Sequence, residues 1–484
     1  MTTLRDHLTA ENRLLLDRLV ADRSRLAALI FRQSGRQLSG EETAEVARLE
    51  DEAGRLEADV SARSSEFRVR LQRASISRVS EAIPDAAALV EIALYQPYDA
   101  KLQSFGPPHY VAYVLTHDGT IKSAELGDAA IIHANISRWR DALKDSTGKD
   151  HKQIARQLDE RVMRPIRGLL GSIHKVLISP DGMLNLVPFE ALVDEKNNYL
   201  IESYSFTYLT SGRDLLRLKE TAPNKQDAVI IADPLFNLDR NRSTSQSHTP
   251  STRRSVDFTK VTYAPLPRTA QEAEAIHAIM PSSRVLTGRQ ATETVLKQVR
   301  APRILHVATH GFFLSDRKEP VGNASRQLVK EDTTQSTPPI QNPLLRSGIV
   351  LAGASQLEDG EGGDGILTAL EVAGLDLWGT KLVVFSACDT GLGDVEDGEG
   401  VYGLRRALVI AGAASQVTSL WQVDDEATRD LMVNYYTRLQ RGEGRGEALR
   451  NAQLNMLKSS DRSHPYYWAS FIQLGDWRKL DITR

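Results

Sequence analysis

A single thiol and one of the histidines are spaced to form a catalytic pair. Cys388 is the only cysteine in the 484-residue sequence, and it comes soon after the apolar, β-branched segment 381–386. His310 follows a similar segment, 303–308. Both segments predict strands, and if these are parallel neighbours, about 4.8 Å apart, the imidazole can reach the thiol. An imidazole that takes the thiol proton makes the sulfur a nucleophile near neutral pH.

Small residues beside the pair predict an oxyanion site. The backbone N–H groups of Gly311 and Cys388 are natural donors to the oxygen of an attacked carbonyl. After the thiol, the run Asp-Thr-Gly-Leu-Gly at 389–393 keeps the loop small and able to adopt positive φ. We therefore expect a substrate carbonyl to meet these two backbone donors.

Acidic side chains at the predicted strand ends indicate a pocket for a basic substrate residue. These side chains are Asp233, Asp389, Asp424 and Asp425. A buried carboxylate in such a pocket selects arginine or lysine. The alternative is helix capping, for which Asp425, followed by Glu-Ala-Thr-Arg, is a good candidate.

No metal or other cofactor is predicted. His306 lies four positions before His310, but on a strand that spacing separates the side chains by about 13 Å, so His306 is interpreted as a core residue. The acidic stretches 358–365 and 394–399 do not fit an EF-hand and are interpreted as solvated loops. One cysteine excludes an internal disulfide and a multi-cysteine zinc site.

The composition is typical of a globular protein with a near-neutral surface. The sequence has 60 basic and 63 acidic side chains, so bulk attraction to nucleic acid or to an anionic membrane is not expected. No apolar run approaches the roughly 20 residues of a membrane span, and the start lacks the pattern of a secretory signal. We therefore expect a cytoplasmic protein without a membrane span.

The elements that must position the pair begin after a helical region. Leucine- and arginine-rich residues up to about 75 predict a helical hairpin, in which Ser39 and Glu42 form a capping box at the start of the second arm. Its apolar seam is compatible with a partner-binding coiled coil or with packing on its own domain. The segment 89–126 then has strand periodicity, with a hairpin turn at Asp118-Gly119.

Strand-like and helix-like segments alternate through the rest of the chain, which predicts a helix-covered, mainly parallel sheet. The expected strands lie at 228–232, 303–308, 381–386 and 415–421, and the expected helices at 269–279, 292–299, 368–373 and 402–411. Two polar stretches, 237–260 and 315–342, predict long surface loops. Functional groups in such sheets collect at the carboxyl ends of the strands.

These motifs resemble the CHAT family, the caspase-like domains of bacterial proteins. The resemblance rests on His306-Val-Ala-Thr-His310-Gly311, on Ser386-Ala-Cys388-Asp389-Thr-Gly, and on further segments in the same order. Those further segments are Asn342-Pro-Leu-Leu-Arg-Ser-Gly, Gly365-Ile-Leu-Thr-Ala, Gly398-Glu-Gly-Val-Tyr-Gly-Leu-Arg-Arg-Ala, Ser419-Leu-Trp-Gln-Val-Asp-Asp and His464-Pro-Tyr-Tyr-Trp-Ala-Ser-Phe.

The resemblance implies a caspase-like α/β sandwich and a cysteine endopeptidase that cleaves a protein partner through a thioester. It also implies a setting in bacterial defence or programmed cell death. Two departures limit what carries over. The stretch around Cys388 is not the caspase one, so a preference for aspartate is not implied, and the tetratricopeptide repeats common in the family are not visible.

The expected organisation has a helical hairpin at 1–85, a small α+β segment at 86–170 and the caspase-like domain at 171–484. Any sensor would lie on the N-terminal helices or on a separate activating protein. The alternative function is a catalytically silent, caspase-like scaffold that binds partners through those helices.

Overall fold

The computed structural model describes residues 18–19, 21–26, 29, 39–63, 74–220, 222–237, 263–313, 343–354, 364–389, 399–421 and 424–480. For residues 387–389 the description covers the backbone alone. Of the predicted loops, 315–342 lies outside these ranges, and so does 237–260 apart from Asn237. Most of the two acidic stretches also lies outside them.

Strands of the described chain are numbered β1 to β15. Their bounds are β1 Ala87–Tyr95, β2 Tyr98–Asp99, β3 Ser104–Phe105, β4 His109–Thr116, β5 Ile121–Asp128, β6 Lys175–Ser179, β7 Ser205–Tyr208, β8 Val229–Pro234, β9 Arg284–Gly288, β10 Ile304–Phe313, β11 Ser347–Val350, β12 Ile366–Thr368, β13 Leu382–Asp389, β14 Ser415–Ser419 and β15 Phe471–Gly475. The predicted turn at Asp118-Gly119 joins β4 to β5, and Gly119 adopts a φ of +82° there.

Thirteen of these strands form one sheet. Its main order is β12-β11-β10-β13-β14-β15-β7-β6-β1-β4-β5, and β8 pairs with β10 and with β9. The strands from β9 through β8, β10 and β13 to β14 are parallel, as are β15, β7, β6 and β1. The predicted α/β class with a mainly parallel central sheet is therefore confirmed. Strands β1, β4 and β5, from the predicted small segment, belong to this same sheet.

Helices cover both faces of the sheet, as the caspase-like architecture implied. Their bounds are α1 Gly40–Arg63, α2 Ile76–Ser80, α3 Ala129–Lys144, α4 His151–Arg161, α5 Met163–Leu170, α6 Leu200–Ser203, α7 Asp214–Arg217, α8 Pro267–Ile279, α9 Glu293–Gln298, α10 Ala369–Val372, α11 Glu399–Ala411, α12 Asp425–Gln440, α13 Arg445–Leu457 and α14 Pro465–Trp468. Short 3₁₀ turns lie at Gly182–Leu186, Phe189–Ala191 and Pro343–Leu345.

Side chains of β10 alternate between two hydrophobic cores. Ile304 and Ala308 enter a large core shared with α8 and α12, whereas Leu305 and Val307 enter a second core shared with α9, α10 and α11. Because successive strand residues face opposite sides, both faces of β10 are buried, which fixes its register in the sheet.

The N-terminal helices pack on the domain that follows them. The predicted capping box at the start of α1 is confirmed: Glu42 N donates to Ser39 Oγ over 3.2 Å, and Ser39 N donates to the Glu42 carboxylate over 2.7 Å. Leu26 and Leu49 are buried together with Leu345 and Leu370. This is the packing alternative that the apolar seam left open. In the described part of the chain, no helix is long and apolar enough to cross a membrane.

Candidate active site

His310 and Cys388 are register partners on adjacent parallel strands. In the pairing of β10 with β13, His310 lies opposite Cys388 and Gly311 lies opposite Asp389. Residues directly opposite each other on neighbouring strands share a face of the sheet. The predicted neighbourhood of the two strands is therefore confirmed, and the backbone places the two proposed catalytic residues side by side.

Both strands are longer than the sequence predicted. The expected ends were residues 308 and 386, but β10 continues to Phe313 and β13 to Asp389. β10 is longer because a neighbouring strand extends it: β11 pairs in antiparallel orientation with Gly311, Phe312 and Phe313. Phe312 is fully buried in a small core with Val350. His310 thus belongs to an ordered strand, which holds its backbone more firmly than a loop would.

The half-buried imidazole of His310 has a defined hydrogen-bond partner. Its Nε2 atom lies 2.9 Å from the carbonyl oxygen of Ala264, three residues before α8. A carbonyl oxygen only accepts, so Nε2 carries the proton of this bond. In the neutral ring, Nδ1 is then the nitrogen with a free lone pair. The Ala264 carbonyl therefore selects the tautomer in which Nδ1 can accept a proton.

Two aromatic rings pack around the imidazole. The ring centroid of Phe236 lies 5.1 Å from that of His310, and the centroid of Tyr263 lies 6.0 Å from it. Phe236 and Tyr263 also contact each other, with centroids 5.7 Å apart, and both are almost fully buried. These contacts restrict rotation of the imidazole, so the ring is held in orientation by packing as well as by the bond to Ala264.

Burial sets the protonation of His310. It lowers the pKa of the imidazole below its usual 6.5, while the Ala264 carbonyl and the Asp425 carboxylate act in the opposite direction. Burial disfavours the charged ring, and this effect is the largest of the three. Near neutral pH the ring is therefore neutral and able to act as a base.

The acidic residues predicted for the substrate pocket fall into different environments. Asp233 lies within the last residues of β8, next to β10, where it is half-buried and has a φ of +44°. This left-handed conformation is uncommon for a residue other than glycine. Its backbone N–H donates to Thr269 Oγ1 over 2.9 Å, which ties the strand end to α8.

Asp424 and Asp425 are neighbours in sequence but lie in different environments. Asp424 is the N-cap of α12, because its Oδ1 accepts from the backbone N–H groups of Glu426 and Ala427, each over 3.0 Å. The capping role, which was the alternative for Asp425, therefore belongs to its neighbour. Asp425 begins α12, 4.0 Å from Arg268 Nε, and is close enough to influence His310 electrostatically. Burial raises the pKa of Asp425, and Arg268 opposes that shift.

Gly311 is paired on both sides, with Ile349 of β11 and Asp389 of β13. Its N–H therefore points toward a neighbouring strand, and its role as an oxyanion donor, like that of the Cys388 N–H, stays a prediction.

His306 has the predicted core position, fully buried. Among the described residues, no group of three or more histidine, cysteine, aspartate or glutamate side chains could hold a metal ion.

Sequence reasoning missed the residues that orient His310. The contribution of Ala264 is a backbone carbonyl, which every residue carries, so no side-chain signal marks it. Phe236 and Tyr263 had a weak signal, because aromatic residues near predicted strand and helix ends are usual in cores. They reach the imidazole because Phe236 lies just after β8 and Tyr263 lies just before α8.

Comparison with known sequences gives one family. The model of the CHAT domain matches residues 152–476. No curated protein matches the chain.

Comparison with solved structures gives distant likenesses. Two crystal structures of the Saccharomyces cerevisiae separase–securin complex align at 9% identity and a TM-score of 0.43, over 93% and 94% of this chain. The chain spans 33% and 36% of those separase chains, about a third of their length. The complex of the pro- and mature domains of Porphyromonas gingivalis RgpB aligns at 10% identity and a TM-score of 0.33, over 72% of this chain and 77% of that one.

Proposed function

Because the chain belongs to the CHAT domain family, we propose that it is a regulated cysteine endopeptidase, with Cys388 as nucleophile and His310 as general base. The observation that carries this proposal is the register of β10 and β13, which sets His310 opposite Cys388. The bond from Nε2 to the Ala264 carbonyl adds to it, since it leaves Nδ1 as the basic nitrogen.

The proposed reaction has two stages. In the first, Nδ1 of His310 takes the thiol proton, and the sulfur adds to the substrate carbonyl. Backbone N–H groups, those of Gly311 and Cys388 in this proposal, stabilise the resulting oxyanion. The imidazolium then gives its proton to the departing amine, which leaves a thioester. In the second stage, water attacks the thioester, His310 takes a proton from that water, and the acid product departs as the thiol is restored.

The proposed substrate is a protein segment with arginine or lysine before the cleaved bond. Asp233 and Asp425 support this preference, because both carboxylates are half-buried on elements that adjoin β10. Asp389 stays a candidate at the strand position opposite Gly311. Asp424 has less support, since its carboxylate already caps α12.

The test uses peptide cleavage and probe labelling together. The protein would be incubated with a library of proteome-derived peptides, and new termini would be mapped by mass spectrometry. In parallel, the thiol would be labelled with an electrophilic peptide probe bearing arginine. We expect Cys388→Ala to lose cleavage and labelling, and His310→Ala to lose cleavage while the fold is retained. Cleavage that persists in a folded Cys388→Ala variant would contradict the proposal.

The alternative is a silent scaffold that binds partners through its N-terminal helices. It has less support, because Leu26 and Leu49 of those helices are buried against Leu345 and Leu370. A thiol that no electrophilic probe labels, in the presence of any candidate activating protein, would favour the scaffold. A cytoplasmic role in bacterial defence or programmed cell death remains part of the proposal on the strength of the family resemblance.

A further inference from the structure

A cavity of about 370 Å³ lies at the opposite end of the sheet from His310. Its walls come from the end of α7 and the residues after it, the loop before β13, the turn between α11 and β14, the first residue of α13 and the segment after β15. Lys381 lines the cavity directly before β13, seven residues from Cys388. On an extended strand that separation is about 23 Å. The cavity is therefore distinct from the candidate active site.

The lining of this cavity is strongly cationic. Its two carboxylates are those of Glu220 and Asp476, against five cationic side chains. The cationic residues are Arg217, Lys381, Arg445, Arg478 and Lys479. A concave site lined mainly by one sign of charge concentrates the field and attracts anions.

The positive charges of Arg445 and Arg478 have a structural explanation. Arg445 Nη2 lies 2.6 Å from the Asp476 carboxylate, and Arg478 Nε donates to the same carboxylate over 2.8 Å. Asp476 is thus already shared by two guanidinium groups and does not offset the other cations. Arg217 donates to the carbonyl of Ala413 over 2.9 Å and lies 3.8 Å from the Asp214 carboxylate. Lys381 donates to the carbonyl of Ala222 over 2.6 Å, and Lys479 is exposed at the rim. Five cationic side chains against two carboxylates leave the lining with a net positive charge.

The volume of the cavity and the side chains that line it limit the class of ligand that it could bind. The volume lies at the lower end of the range for small-molecule sites, about 300 to 1,000 Å³. Trp378 is half-buried in the lining and offers a flat aromatic surface for a base. Arginine forks and lysine ammonium groups are the side chains that bind phosphate oxygens.

We propose that this cavity, which we call the basic cavity, binds a nucleoside polyphosphate. The phosphates would lie among Lys381, Arg217 and Lys479, and the base would lie against Trp378. The proposal concerns binding alone and does not depend on peptidase activity.

The experiment is calorimetric titration of the full chain with ATP, with tripolyphosphate and with adenosine. We expect ATP and tripolyphosphate to bind and adenosine not to bind, since phosphate contacts carry the affinity. The double variant Lys381→Gln/Lys479→Gln should bind ATP at least about tenfold more weakly. The matched control, Lys101→Gln/Lys196→Gln, removes the same charge at exposed positions elsewhere and should stay within about twofold of the parent.

Two further variants distinguish binding in the basic cavity from binding at the candidate active site and from a loss of folding. His310→Ala should bind ATP like the parent, because the basic cavity lies away from β10's carboxyl end. If the double variant fails to fold in a thermal melt, the exposed single change Lys479→Glu supplies the same test. The proposal is overturned if neither polyphosphate binds, if binding is equal in the parent and the folded cavity variant, or if tripolyphosphate binds and ATP does not.

Discussion

Two regions of β10 carry a histidine on the same face of the sheet, and their surroundings differ in almost every respect. His306 is fully buried in the large core. Its Nδ1 atom lies 3.1 Å from the hydroxyl of Tyr436, and its Nε2 atom lies 3.2 Å from Glu272 Oε1, within ion-pair distance but without hydrogen-bond alignment. His310 is half-buried, bonds a neutral backbone carbonyl and contacts two aromatic rings.

This difference teaches that position along the strand, and not residue type, separates a structural histidine from a candidate base. Halfway along β10, both faces are covered and the imidazole is held by α8 and α12. Near the carboxyl end, α8 and α12 begin, and among the described residues the ring contacts Phe236 after β8 and Tyr263 and Ala264 before α8. A partner that is a carbonyl fixes the tautomer without adding a charge, so the ring can gain and lose a proton.

The largest expected effect is the loss of cleavage when His310, near the carboxyl end of β10, or its register partner Cys388 is replaced. Cys388→Ala and His310→Ala should each lower kcat/KM by about a thousandfold or more, because each removes a group that takes part in bond making or proton transfer. Thermal melts should stay close to that of the parent. A folded His310→Ala variant with near-parent cleavage would remove His310 from the mechanism and erase the contrast with His306.

Replacing His306, in the middle of β10, should lower the stability of the fold instead. His306→Ala would leave a cavity and strip a buried partner from Tyr436 and from Glu272, which should lower the free energy of unfolding by roughly 2–4 kcal/mol. Urea denaturation measures this loss. Cleavage per folded molecule should change little, and a specific loss of kcat in a stable His306 variant would make the two histidines a single functional unit.

The pH dependence of kcat/KM gives a further test of His310 as the neutral base. Burial lowers the pKa of His310 below 6.5, so the neutral base persists as the pH falls through 6.5 and is lost only below that value. The acid limb of kcat/KM should therefore lie below pH 6.5. The same shift acts on folding: an unfolded chain binds the proton more readily, so this group reduces stability as the pH falls below 6.5. An acid limb above pH 6.5 would contradict the neutral-base assignment.

The smallest effect is expected at the ring contacts. Tyr263 is buried, and among the described residues its hydroxyl has no hydrogen-bond partner. Tyr263→Phe keeps the ring against His310 and removes that hydroxyl, so kcat/KM should stay within about twofold and the free energy of unfolding should rise by up to about 1 kcal/mol. Phe236→Ala, which removes a ring contact, is the comparison variant and should lower kcat more.

Sequence reasoning predicted the α/β class, the strands that carry His310 and Cys388, and the capping box of Ser39 with Glu42, because each has a local signal. It ended β10 too early, since Thr309, His310 and Gly311 have little strand pattern of their own and are held by pairing with neighbouring strands. It offered helix capping as the alternative role of Asp425, but Asp424 is the cap, a difference of one residue that only backbone geometry decides. The Ala264 carbonyl could not be predicted, because backbone groups leave no trace in the residue types.

The position of β15 has a consequence for how the chain acquires this site. β15 lies between β14 and β7, so it joins the strands that carry the candidate site to the sheet formed by β7, β6, β1, β4 and β5. β15, Phe471–Gly475, is the last of the described strands to be synthesised. Without β15, the edges of β14 and β7 are open, and open strand edges are templates for wrong pairing. Assembly of the strands that carry the candidate site is thus coupled to the rest of the sheet through β15.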